Sequence, residues 1–243
     1  MDMELIDEIK RKRELSKLPD SIVERAAVMG KGDVKESRAL LRKYFGVFLT
    51  NKVLKGKGDL LKVHMSSKKR DYEKFYGEIF DGLGDVKSVI DLGAGLNGFS
   101  YGYLKEVVGD VNYVAVEAAG QEVDHMNKYF FENDFSGRAV CMDLFEVEEI
   151  KSLLEVEKRP RFVFLFQVVD ALENLERNFS KKFITEISEE CEKIVISLPT
   201  ESLGRRKKFA AQRKWIMDFL KEHFMIEKDF KMNGERVVVI SRK

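Results

Sequence analysis

With 243 residues, 44% hydrophobic and 35% charged, the chain suits one large α/β domain, or a core of roughly 160 residues with a smaller appended domain, and either can bury a real core. The 43 basic against 42 acidic residues leave a net charge of +1, so net charge names no partner, and two cysteines exclude a disulfide framework or a thiolate metal site; no metal is expected. No stretch approaches the ~18 consecutive apolar residues of a spanning helix, and the charged amino terminus is unlike a leader; the expectation is a soluble cytoplasmic protein with no membrane partner.

Residues 1 to about 80 read as helical. Pro19 and Asp20 open a short helix through Met29, and Asp33 can cap a longer one whose Leu41, Phe45, Phe48 and Leu49 recur at helical spacing. Gly56, Gly58 and Asp59 break it. After a loop through Ser67, residues Tyr72, Phe75, Tyr76, Ile79 and Phe80 form an i, i+3, i+4, i+7, i+8 stripe, which reads as core rather than a base-stacking platform.

From there strands near 88–92, 112–117, 138–141, 161–167 and 192–198 alternate with helices around 97–107, 120–132, 146–154 and 172–190. That is the βα repeat of a parallel sheet covered on both faces. A helix near 207–222 follows, and two apolar runs flank Asn233-Gly234, a strong hairpin signal. Five parallel strands closed by an antiparallel hairpin predict a Rossmann-like class I methyltransferase sheet of seven strands. The expected units are a helical subdomain over 1–80 and a Rossmann-like domain over 81–243.

The first strand carries the most chemistry. In Ser88-Val89-Ile90-Asp91-Leu92-Gly93-Ala94-Gly95 an apolar run meets an acid and a glycine-spaced turn, so backbone at Gly93 and Gly95 can approach a ligand closely. Asp-x-Gly-x-Gly lacks the third glycine of the dinucleotide fingerprint. It points to S-adenosylmethionine, with Ala118 and Leu144 as further cofactor contacts. Glu117, ending the second strand, can accept from both ribose hydroxyls. Asp143, ending the third, can meet the adenine amino group or simply start the next helix. Gln167 ends the fourth at the mouth, where substrate-orienting groups sit. An arginine at Arg70 can pair with the cofactor's methionine carboxylate, and His64 lies just before it. Basic clusters at 10–13, 52–70 and 205–214 flank this site and favour a nucleic-acid partner.

Three segments together resemble the family of aminoglycoside-resistance 16S rRNA guanine-N7 methyltransferases: His64 to Arg70 leading into Phe75-Tyr76 and Ile79-Phe80, Asp91-x-Gly-x-Gly-x-Asn97, and Ser197-Leu198-Pro199-Thr200-x-Ser202-Leu203-Gly204. The similarity spans roughly residues 33–243. It implies an enzyme whose amino-terminal subdomain helps dock the 30S subunit and whose target is guanine 1405, in standard small-subunit numbering, in the decoding-site helix of 16S rRNA; a monomer is expected. By matched position it assigns Arg70, Asp91, Gly93, Glu117 and Asp143 to the cofactor, and Asn97, Phe99, Gln167, Ser197 and Ser202 to the target base. The basic run Arg205, Arg206, Lys207 and Lys208 faces the same mouth and is expected to bind RNA.

The chain departs from the family at Ala94, where Cys is usual, at Gly98 for Pro, at Gln167 for a common Lys, and at Glu201 for a residue often basic. These departures fall more on the base pocket than on the cofactor site, and keep a neighbouring nucleotide or another RNA open. A small-molecule methyltransferase shares the glycine turn but more often carries an apolar lid than paired basic segments. A non-catalytic RNA-binding or assembly protein fits the basic clusters, and would not bind S-adenosylmethionine.

Overall fold

The computed structural model of the chain describes residues 3–45, 61, 68–200 and 213–243. The expected reach of the third helix to Phe48 and Leu49, the break at Gly56 to Asp59, His64, and the Ser202 to Lys208 segment lie outside these residues.

Strand β1 (Ser88–Leu92) is buried along its whole length, as befits a strand with parallel neighbours on both edges and helices on both faces. One neighbour is β2 (Asn112–Glu117) and the other β4 (Arg161–Phe166). Beyond β2 lies β3 (Gly137–Cys141), and beyond β4 lies β5 (Lys193–Pro199). Antiparallel β7 (Glu235–Arg242) joins β5, and β6 (Phe224–Met232) takes the edge, giving the order β3-β2-β1-β4-β5-β7-β6. The class I methyltransferase sheet expected from the sequence is thereby borne out. Asn233 and Gly234 turn the hairpin with φ of 53° and 80°, the paired positive values of a type I′ turn.

Because side chains alternate along a strand, the sheet feeds two cores. Val89, Tyr113, Ala115, Phe162 and Phe164 face α4 (Tyr72–Phe80), α5 (Tyr101–Val108) and α6 (Gly120–Glu132). Ile90, Leu92, Val114, Val163 and Leu165 face α7 (Val147–Glu155), α8 (Val169–Leu175), α9 (Phe179–Ile187) and α10 (Lys214–His223). The aromatic stripe of α4 is core, as expected. Its packing joins α4 to the sheet.

Two helical expectations are corrected. The single helix over 172–190 is two, because Asn178 adopts a left-handed φ of 65° and the Glu173 carboxylate accepts from the Asn178 and Ser180 amides at 2.8 and 3.0 Å. Those bonds end α8 and start α9. The helix expected at 97–107 opens with a 3₁₀ turn over Asn97–Ser100. There a Cβ on Gly98 would come within 2.4 Å of Met126 Sδ; Met126 fills the space that a proline ring at this position would need.

The amino-terminal helices α1 (Met3–Lys10), α2 (Asp20–Met29) and α3 (Val34–Phe45) build a third core around Ile9, Leu15, Val23, Ala27 and Leu41. Asp33 caps α3 through the Glu36 amide at 2.8 Å, as its position predicts. Ala119, at the start of α6, packs into this cluster. The Gly120 amide donates to the Lys17 carbonyl at 3.2 Å, and a Cβ at Gly120 would lie 2.6 Å from that oxygen.

Candidate functional site

Strand order reverses between β1 and β4, and such a reversal opens a crevice beyond the carboxyl ends of the strands. A cleft of about 300 Å³ lies there, a size suited to a ligand of a few tens of heavy atoms. Gly93, Ala94 and Gly95 line it with little more than backbone. Gly93 has φ 72°, and a Cβ there would sit 2.7 Å from Val168 Cγ2, so both conformation and space exclude a side chain.

Of the residues expected at the cofactor, Arg70, Gly93, Gly95, Glu117, Ala118, Asp143 and Leu144 line this cleft. Glu117 is buried and accepts from the Gly95 and Ala119 amides, each at 2.9 Å. A carboxylate offers about four acceptor sites, so two such bonds leave capacity for ligand hydroxyls. Burial raises its pKa in spite of those amides. Close by, Glu122 is fully buried with neither oxygen hydrogen-bonded among the described residues, and burial pushes it up to about 8. Its carboxyl is therefore mostly protonated at neutral pH and adds little charge beside Glu117. Asp143 accepts from the Phe145 amide at 3.0 Å and from the Ser21 hydroxyl at 2.9 Å.

Asp91 is corrected in placement. It is not among the residues lining the cleft; it lies fully buried beneath the glycine turn. Its Oδ2 accepts from Asn97 Nδ2 at 2.6 Å and from the Tyr113 hydroxyl at 2.7 Å, while Oδ1 is buried without a partner among the described residues. Burial, only partly offset by those bonds, pushes Asp91 up to about 6. Asn97 does line the cleft, but its amide is committed inward: Nδ2 also donates to the Tyr76 hydroxyl at 3.2 Å, and Oδ1 accepts from Arg70 Nη1 at 3.2 Å. The Tyr76 and Ser100 hydroxyls share a 2.6 Å bond. Asn97 is thus placed to hold the turn in shape.

Arg70 is buried, and its Nε and Nη2 donate to the two Glu235 oxygens at 3.0 and 2.8 Å. Burial alone would lower its pKa, but the Glu235 carboxylate outweighs it and the guanidinium stays charged. The Phe75 and Phe166 ring centres lie 4.8 and 4.9 Å from Cζ. Sequence reasoning missed Glu235, Tyr76, Tyr113 and Ser100 as members of this network.

The base-side expectations divide. Gln167 lines the cleft with a left-handed φ of 59°, a strained state for a long side chain, fixed by its amide bond to the Ser197 carbonyl at 3.0 Å. Ser197 itself is fully buried in β5, its hydroxyl unbonded among the described residues, and is not among the lining residues. Phe99 packs on Tyr129 at 5.2 Å and also falls outside the lining. His64, Ser202, Arg205, Arg206, Lys207 and Lys208 lie outside the described residues.

The opposite wall was not expected. Ile22, Arg25, Ala26, Met29, Leu41, Tyr44 and Phe45 of the amino-terminal helices line the same cleft. Ser21 reaches Asp143, Arg25 pairs with Glu176 at 3.1 Å and lies 4.1 Å over the Phe145 ring, and the Tyr44 hydroxyl donates to the Asn174 carbonyl at 3.3 Å. The cleft therefore has a charged end at Arg70 and a mostly apolar end between Phe145 and α2. That polarity suits an elongated ligand with an acid at one end and a flat ring at the other. Among the described residues no three His, Cys, Asp or Glu side chains gather as a metal site requires, and no helix is long and apolar enough to cross a membrane.

Several solved structures share this fold. The 16S rRNA methyltransferase RmtF, in complex with S-adenosyl-L-homocysteine, is 19% identical over the whole of both chains with a TM-score of 0.75. The 16S rRNA methylase RmtB is 18% identical over 99% of this chain and 98% of its own, with a TM-score of 0.78. An rRNA methylase from Escherichia coli is 16% identical over 99% of both chains, with a TM-score of 0.74. No protein-family model matches the chain, and no curated protein matches it by sequence.

Proposed function

We propose that the protein is an S-adenosylmethionine-dependent methyltransferase acting on 16S rRNA, at a guanine N7 in the decoding-site helix of the 30S subunit. The observation that carries the cofactor half is the cleft itself: bare backbone at Gly93 and Gly95 between a buried carboxylate at Glu117 and a charged guanidinium at Arg70. When bound, S-adenosylmethionine supplies an electrophilic methyl group. Among the described residues three of the five N–H donors of Arg70 are taken, which leaves two for the carboxylate of that ligand. Glu117 keeps acceptor capacity for ribose hydroxyls, Asp143 for an exocyclic amine, and Leu144 and Phe145 offer apolar surface to the ring. RmtF, of the same fold, was solved with S-adenosyl-L-homocysteine, which supports this reading.

The acceptor half rests on the three sequence segments read above and on the rRNA methyltransferases that share the fold. Guanine N7 carries an in-plane lone pair and loses no proton on methylation, so no general base is required of the protein. Its residues must capture the base, aim N7 at the methyl carbon and exclude competing nucleophiles. Gln167, its backbone fixed at the mouth by the bond to the Ser197 carbonyl, is the orienting group in this reading. Arg11, Lys12, Arg13, Lys31 and Lys35 of the amino-terminal segment are exposed, and this reading assigns them to phosphates.

The test is incubation with labelled S-adenosylmethionine and 30S subunits, naked rRNA or total tRNA, followed by reduction and aniline cleavage at 7-methylguanine. Label in 16S rRNA with one cleavage in the decoding-site helix is expected, with binding that falls steeply as salt rises. Label confined to tRNA, or none on any RNA, contradicts the acceptor assignment.

A further inference from the structure

We propose that Glu235 is the positioning residue that sets Arg70 for the amino-acid end of the methyl donor, an inference that rests on the cofactor reading above. Glu235 opens β7 directly after the hairpin turn and is only 2% exposed. It faces Arg70 across 165 residues of sequence and takes the guanidinium side-on through Nε and Nη2. Asn97 takes a third donor through Nη1. Phe75 and Phe166 pack close to the Arg70 Cζ, and among the described residues two of the five N–H donors have no partner, on a residue that lines the cleft. A buried arginine released from its carboxylate would be left largely uncompensated, and would turn or draw in water. Glu235 therefore fixes which edge of Arg70 a ligand carboxylate meets.

The ligand pair S-adenosylhomocysteine and 5′-methylthioadenosine isolates this role, since the second lacks the amino-acid portion while keeping adenine, ribose and sulfur. Calorimetric titration of the parent protein and Glu235→Gln is expected to show S-adenosylhomocysteine weakened by about tenfold or more, as for loss of an aligned charge-assisted pair, with methylthioadenosine changed by less than about twofold. Equal weakening of both ligands, no weakening, or tighter S-adenosylhomocysteine binding overturns the role of Glu235. A parent protein that binds neither ligand overturns the cofactor reading itself, and this inference with it. Should Glu235→Gln fail to fold, Glu235→Asp, which keeps the charge and Arg70 but shortens the reach, takes its place: the same selective loss is expected, and an equal loss for both ligands, or none, counts against the proposal.

Discussion

The two ends of the cleft are built from different materials. At the Arg70 end Asp91, Asn97, Arg70, Glu235, Tyr76 and Tyr113 form a network almost entirely out of solvent, in which most side-chain polar atoms are hydrogen-bonded. At the other end the amino-terminal helices press an apolar wall against Phe145 and are tied on by half-exposed pairs, such as Arg25 with Glu176, whose side chains are 31% and 51% exposed. Buried charge pairs are unforgiving when one partner is removed, whereas exposed pairs are screened and worth little. In the proposed reading the charged end is the reference for the ligand's polar head, and the contacts that tie on the apolar wall are the weaker ones.

The sharpest way to break this contrast is Arg70→Ala, which leaves Glu235 buried and unpaired. Denaturant unfolding is expected to show a loss of about 3–5 kcal/mol, while removing both charges together stays within about 1 kcal/mol of the parent. Equal losses for the two variants would mean that the unpaired charge is not the source of the loss. Asp91→Asn comes next. Because burial raises the Asp91 pKa from 3.8 to about 6, the folded state holds this proton more tightly than the unfolded chain does. The ionised carboxylate therefore burdens the fold above pH 6, and the burden fades as pH falls towards 3.8. Relative to Asp91→Asn, the parent should lose up to about 3 kcal/mol between pH 4 and 7; a difference that does not change with pH contradicts the buried placement. The smallest effects belong to the wall: Ser21→Ala and Arg25→Ala are each expected to cost about 1 kcal/mol or less. Losses there as large as at Arg70 would erase the distinction between the two ends.

The sheet was legible in the sequence because its signals are local. Apolar runs such as Phe162 to Phe166 need cover on both faces, and Asn233-Gly234 has one favoured use. Gly93, Gly95 and Glu117 were readable for the same reason, each standing at a strand end. The polar network was not, because its members lie on elements whose spacing announces core. Tyr76 sits in an aromatic stripe and is fully buried, yet its hydroxyl meets Asn97 and Ser100. Glu235 could have been suspected, since an acid beginning an otherwise apolar strand needs an inward partner, but the identity of that partner is set by topology alone. The break at Asn178 escaped because the Glu173 cap that stabilises it leaves no periodic trace. The wall formed by α2 and α3 escaped because an amphipathic helix shows which face is buried and not what it is buried against.

The most direct test of the account is a crystal structure with S-adenosylhomocysteine. The account predicts the ligand's carboxylate on the free edge of Arg70, with the Glu235 pair intact, its ribose at Glu117, and its adenine between Phe145 and α2 with Asp143 at the amine. A ligand lying end for end, or a carboxylate that displaces Glu235 from Arg70, would contradict it.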